Sequence, residues 1–217
     1  MNENQEDLLL VALLSSSRAL WDVVTPDLRG VALSTGNRLV RSRFVYTDQI
    51  DPLRQELMSD AEGELAADLP WNTMTDFSSE VRPPGRSREL TDGEVWAYLR
   101  REPGPIHRDL RSLASDPGST TTTLLALQVL QLNIATPDLR AIAVSWSTKQ
   151  VRGRLLYEET IGNTQQCILE DAAAALRNRL PADCQVNLVA DLVPGSQRRA
   201  LLEGESWLFM RHESSDR

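Results

Sequence analysis

Apolar residues in the stretch 7–24 fall at Leu8, Val11, Leu14, Leu20 and Val24, among polar positions such as Ser15 to Arg18. That spacing is near the helical period and predicts a first helix buried on one side. Thr25-Pro26-Asp27 ends it, because Pro disfavours helix for the residue before it and Asp favours a turn. Residues 28–34 and 38–46 are rich in strand formers and flank Thr35-Gly36-Asn37, whose Gly and Asn accept positive φ, so a hairpin is expected. In its second strand Val40, Ser42, Phe44 and Tyr46 alternate with Arg41, Arg43 and Val45, which puts the two arginines on an outer, wetter face. Asp51-Pro52 then opens a second helix, where Leu53, Leu57, Ala61, Leu65 and Leu69 recur every fourth residue as the stripe that packs on the sheet. Pro70 stops it. Two more strands are predicted at about 74–81 and 95–101, separated by a polar loop over 83–93.

The whole pattern then returns. Thr25-Pro26-Asp27-Leu28-Arg29 recurs letter for letter as Thr136-Pro137-Asp138-Leu139-Arg140, an offset of 136 − 25 = 111. That offset aligns 25–102 with 136–213 without a gap, and about a third of the pairs are identical, among them Arg43/Arg154, Pro83/Pro194, Gly93/Gly204, Trp96/Trp207, Arg100/Arg211 and Glu102/Glu213. A repeat of this length is a small domain copied whole, since solenoid units run to roughly 20–50 residues. The second copy predicts a hairpin over 139–157, a helix over about 163–180 and strands at about 186–193 and 206–212. Its first helix is expected over 124–134, capped by the threonines at 120–123. Residues 103–119 hold Pro103, Gly104, Pro105, Pro117 and Gly118 and have no copy, so they read as a linker between repeats at 1–102 and 120–217. The expected fold class is α+β: a tandem duplication of a helix-strand-strand-helix-strand-strand unit, each an antiparallel sheet with helices on one face.

With 217 residues, two domains of about 100 are each large enough to bury a core. The net charge of −8 repels nucleic acid and attracts basic partners. Basic residues are nearly all Arg, with Lys149 the one Lys, which coding bias explains better than phosphate binding. Cys167 and Cys184 both belong to the second copy and have no counterparts in the first, so a reducing compartment is favoured over a disulfide framework, and each is expected as a small buried hydrophobe. The acidic start of the chain lacks signal-peptide character, and the apolar run at 8–14 is too short to span a membrane; a cytoplasmic, soluble protein is expected.

Motifs that dictate a chemistry are missing. His107 and His212 share no partner and read as surface histidines, and no cluster suggests a metal or a nucleophile. Gly118-Ser119 and Gly195-Ser196 lack the Lys and spacing of a phosphate loop, so no cofactor is expected. An enzyme built on an unrecognised carboxylate pair ranks last. The matched Trp96 and Trp207 read as core; of the unmatched Trp21, Trp71 and Trp146, the last is the best candidate for an exposed contact, at the tip of the second hairpin.

Charge separates the copies. Residues 1–102 carry 18 acidic and 11 basic side chains (net −7), whereas 120–217 carry 11 and 10 (net −1). On the second helix of the first copy Glu56, Asp60, Glu64 and Asp68 recur every fourth residue, a spacing at which like charges repel by roughly 0.2–0.5 kcal/mol per pair. The second copy has Cys167, Asp171, Ala175 and Arg179 there, so the fold does not require the row. A solvated face explains it as readily as a binding site for a basic protein partner, in which those four acids speed and orient encounter. The alanine run 172–175 in the second copy permits close approach of the first copy or of another chain, so a self-associating adaptor is the alternative.

The Arg-flanked hairpin ending in Phe44-Val45-Tyr46, the acidic helix from Glu56 to Asp68 and the closing strand Tyr98-Leu99-Arg100-Arg101-Glu102 resemble immunity proteins of bacterial polymorphic-toxin and contact-dependent inhibition systems. The resemblance implies neutralisation of a cognate toxin domain by binding, frequently by covering a basic nuclease surface with acids. It carries over to Glu56, Asp60, Glu64 and Asp68 alone, since the second copy departs from the pattern.

Overall fold

The computed structural model describes residues 3–102, 126–128, 130, 132, 134–147 and 149–213. The expected linker, the threonine N-cap and His107 lie outside the described residues. The first repeat runs α1 (Glu3–Ala19), β1 (Leu28–Gly36), β2 (Leu39–Tyr46), α2 (Pro52–Asp68), β3 (Met74–Val81) and β4 (Val95–Leu99). The second runs from a helical stretch at 126–128 through β5 (Leu139–Ser147), β6 (Gln150–Tyr157), α3 (Asn163–Arg177), β7 (Gln185–Leu192) and β8 (Ser206–Met210). The α+β class and the tandem duplication are as expected.

Each repeat holds one four-stranded sheet, ordered β3-β2-β1-β4 in the first and β7-β6-β5-β8 in the second. The sheets are mixed where the sequence led us to expect antiparallel ones. β1 pairs antiparallel with β2 and β4, but β2 and β3 run parallel. The cause is α2, whose 17 residues carry the chain back along the length of β2 before β3 begins, and a crossover of this kind joins parallel strands. The first hairpin also turns differently. Positive φ falls on Arg38 (56°), not on Gly36 or Asn37.

Asp51 starts α2 by accepting a hydrogen bond from the Arg54 N–H at 2.9 Å. Leu57, Ala61, Leu65 and Leu69 of its stripe are buried, while Leu53, at the solvent end, is exposed. Val40, Ser42, Phe44 and Tyr46 of β2 face inward as alternation requires, and Phe77 of β3 joins Phe44 with ring centroids 5.7 Å apart. Gly93 and Gly204 sit at matched turns before β4 and β8, with φ of 80° and 78° that a side chain would strain.

The halves meet through a pseudo-twofold interface. His212 N–H donates to the Val24 carbonyl at 2.8 Å, and at the matched positions Arg101 N–H donates to the Ala135 carbonyl at 2.9 Å. Each half thus extends the last strand of the other with the segment that precedes its own first strand. Matched positions also touch each other directly. Tyr98 stacks on Phe209 (98 + 111) with centroids 6.0 Å apart and planes 2° from parallel, and Gln128 (17 + 111) lies 3.4 Å from the Ser17 hydroxyl. Residues that contact their own equivalents mark the axis of an isologous interface, here formed within one chain. One core runs through it, from Leu20, Val31 and Tyr98 to Ile142, Leu155 and Phe209.

A double-mutant cycle on Tyr98→Ala and Phe209→Ala tests this junction. Stacked rings couple by about 0.5–1.5 kcal/mol, so urea denaturation should give a combined loss that departs from the sum of the singles by about that much; strict additivity would remove the contact.

Candidate functional site

The matched charges hold the fold together. Arg29, 1% exposed, sits beneath the loop between β3 and β4. Its guanidinium donates to both carboxylate oxygens of Glu102 at 2.6 Å and to the carbonyls of Arg82 and Pro83 at 2.7 and 2.9 Å. Arg88 donates to the Arg29 and Arg100 carbonyls at 2.8 and 2.7 Å. Burial alone would raise the pKa of Glu102, but the hydrogen bond from Arg29 and the charge of Arg88 outweigh it and hold the carboxyl down at about 2. The second half repeats every part. Arg140 binds Glu213 and the carbonyls of Val193 and Pro194, and Arg199 binds those of Arg140 and Arg211.

Of the two arginines expected on a wet outer face, only Arg41 is exposed, 3.5 Å from Asp76. Arg43 is drawn under the same loop, donating to Glu94 at 2.9 Å and pairing with Glu80. Its match Arg154 pairs with Glu205 and Asp191. A buried guanidinium needs counter-charges and acceptors, and alternation alone did not show that a loop would supply them.

The acidic row lies on the outer face of α2, and all four of its residues are exposed. Arg18 of α1 reaches two of them, Glu64 at 3.4 Å and Asp68 at 2.8 Å. Such exposed pairs contribute about 0–1 kcal/mol and are readily exchanged. Glu56 and Asp60 make no ion pair among the described residues, so they are the more available half of the row. On α3, Asp171 instead lies 3.4 Å from Arg101 of the first repeat, across the junction.

Trp71, in the turn after α2, is 95% exposed, and Met74 at the start of β3 is 64% exposed. The sequence pointed to Trp146, which at 40% is far less open. Absence of a match was the available signal, since Ala182 occupies the place of Trp71 in the second copy. Trp96 is half-buried and lies close over Gly30, where an added Cβ would come within 2.7 Å of the ring. Cys167 is exposed, not the buried hydrophobe expected, because it sits on the outer face of α3; both cysteines are free thiols. His212 is half-buried, with its Nδ1 2.8 Å from the Asp22 carbonyl at the junction.

Among the described residues no group of His, Cys, Asp and Glu is arranged to hold a metal ion, and no helix is long and apolar enough to cross a membrane. An open depression is lined by Arg140, Arg198, Arg199, Trp207, Met210 and Glu213, and two of its arginines, Arg140 and Arg199, are paired with Glu213.

Residues 9–102 match the family model described as MafI2 immunity protein. The matched segment ends at Glu102, the partner of the buried Arg29, and lies within the first repeat, the half that carries the acidic row and Trp71. The resemblance expected from the hairpin, the acidic helix and the closing strand is borne out by this match. No curated protein matches the chain.

Glu102→Gln would leave Arg29 buried without its counter-charge and should cost about 3–5 kcal/mol in denaturant unfolding. The folded carboxyl is held at about 2 against an ordinary 4.5, so its contribution is present above pH 4.5 and is lost as pH falls toward 2. The wild-type chain should therefore lose stability steeply across that window, and the variant should lose less. Equal acid slopes would show that the pair contributes nothing.

Proposed function

We propose that the chain is a non-catalytic immunity-type inhibitor that binds a basic protein toxin domain and covers its cationic surface with the outer face of α2, using Glu56, Asp60, Glu64 and Asp68. The carrying observation is an exposed acidic face on the half that matches an immunity family, set against a neutral face at the same place on α3. Repulsion along such a row persists in the free protein and is relieved when a cationic surface arrives, so the row favours the complex over the free state. The same field raises the encounter rate with a basic partner. Arg18 is exchanged for a partner cation at little cost, since its pairs with Glu64 and Asp68 are exposed.

In this reading residues 1–102 form the toxin-facing repeat, 103–119 the linker and 120–217 a second repeat that completes the core. The site of action is the cytoplasm, where an inhibitor meets a toxin that has entered. The self-associating alternative would use the twofold surface of each repeat, but that surface is already covered by the other repeat of the same chain.

The test uses the intact chain and a toxin domain sought among the products of the genes flanking its own. Calorimetric affinity should fall as salt rises from low to about 0.5 M, because exposed charges more than a few ångströms apart are then screened. Glu56→Lys with Asp60→Lys should weaken binding about a hundredfold, since like charges set against each other cost several kcal/mol. These two positions are chosen because Arg18 already occupies the other pair. Unchanged affinity in the double variant would refute the acidic face.

A further inference from the structure

We infer that Trp71 is the anchor of the toxin-facing surface, with its indole face receiving an arginine or lysine of the basic partner and Met74 packing against that side chain's stem. This rests on the function proposed above and adds to it the contact that fixes the partner in place.

An indole exposed to 95% leaves a large apolar surface in water, and the fold gains nothing from it. The turn that presents it is held by Thr73 N–H donating to the Pro70 carbonyl at 2.8 Å and Met74 N–H donating to the Arg38 carbonyl at 2.9 Å. The second repeat makes the same turn, with Cys184 N–H to Pro181 and Gln185 N–H to Lys149, both at 2.9 Å, yet places Ala182 and Gln185 where the first has Trp71 and Met74. One backbone thus forms equally well with small and polar residues, so the large apolar pair serves something other than folding. The exposed differences between the copies include Glu56, Glu64 and Asp68 on the outer face of α2 and continue into Trp71.

The chemistry of the occupant follows from the neighbours. Asp68, three residues before the indole, and the exposed Asp76, two residues after Met74, are held among the described residues only by the exposed Arg18 and Arg41, pairs of the kind that exchange readily. Arg38 and Arg41 stand on the adjacent hairpin, Arg41 paired with Asp76. A Trp face is the best side-chain acceptor for a cation, and the long stems of Arg and Lys cover apolar surface while their heads reach a carboxylate. Trp and Arg are also the residue types that dominate interface energetics when paired in this way.

The experiment titrates the intact chain and its Trp71→Ala, Trp71→Phe and Trp71→Leu variants against the toxin domain sought above. Circular dichroism and melting should be unchanged in all three, because the side chain touches little. Trp71→Ala should weaken binding about thirtyfold and Trp71→Leu nearly as much, whereas Trp71→Phe, which keeps a π face, should stay within about fivefold. Trp71→Ala within twofold of wild type would overturn the anchor, and Trp71→Leu binding as tightly as wild type would overturn the stacked cation. Full affinity in Trp71→Ala beside a large loss in Glu56→Lys with Asp60→Lys sinks the anchor and leaves the acidic face standing. A wild-type chain that fails to bind the toxin domain sinks both.

Discussion

The buried pairing of Arg29 with Glu102, and of Arg140 with Glu213, is the constraint on which the architecture turns. A guanidinium out of water demands several acceptors, and each of these arginines satisfies that demand with a carboxylate from the chain just past the last strand and with carbonyls from the loop before it. First strand, loop and chain end are thereby tied to one point. Buried ion pairs are weak guarantors of net stability, because desolvation offsets their attraction. What this pair fixes is position. One residue before Glu102, Arg101 donates to the backbone of the second half, and one residue before Glu213, His212 donates to the backbone of the first. The local lock in each half thus places the edge on which the other half docks, and the two locks together set the pseudo-twofold pair.

An intrachain pair of copies serves as its own control. Positions that agree between copies, such as Arg43/Arg154, Glu94/Glu205 and Arg88/Arg199, turn out to be bonded into the sheet and its covering loop. Among the positions that disagree are some on the outer surface that carry no such bond. Glu56, Glu64 and Asp68 of α2 and the exposed Trp71 differ between the copies, whereas Asp60 has its match in Asp171, and the acidic row and the indole all lie on the half that matches the immunity family. An architecture held by matched residues leaves the outer surface of one copy free to become acidic while its twin stays neutral.

Much of the fold could be read from the chain because its signals are local. The alternation of Val40, Ser42, Phe44 and Tyr46 set the inward face of β2, and Pro52 and Pro70 bracketed α2. The parallel pairing of β2 with β3 was not legible, since hydrophobic alternation is the same for either strand direction. The pairing of the half-buried Arg43 depended on a loop about fifty residues away, and the capture of Glu64 and Asp68 by Arg18 depended on how α1 crosses α2. The exchange at Val24 and Ala135 carries no side-chain signature, because it is made by backbone groups. The candidate site was half legible: the row of acids shows in the spacing, but the exposure of Trp71 follows from a turn that points its side chain away from both helix and sheet.

Amide hydrogen exchange of the intact chain, alone and saturated with a toxin domain found to bind it, tests most directly whether the proposed partner sits on the outer surface of the first repeat. The account predicts added protection in residues 52–74 with the matched segment 163–185 unchanged. Protection centred on 163–185, or spread equally over both, would contradict it.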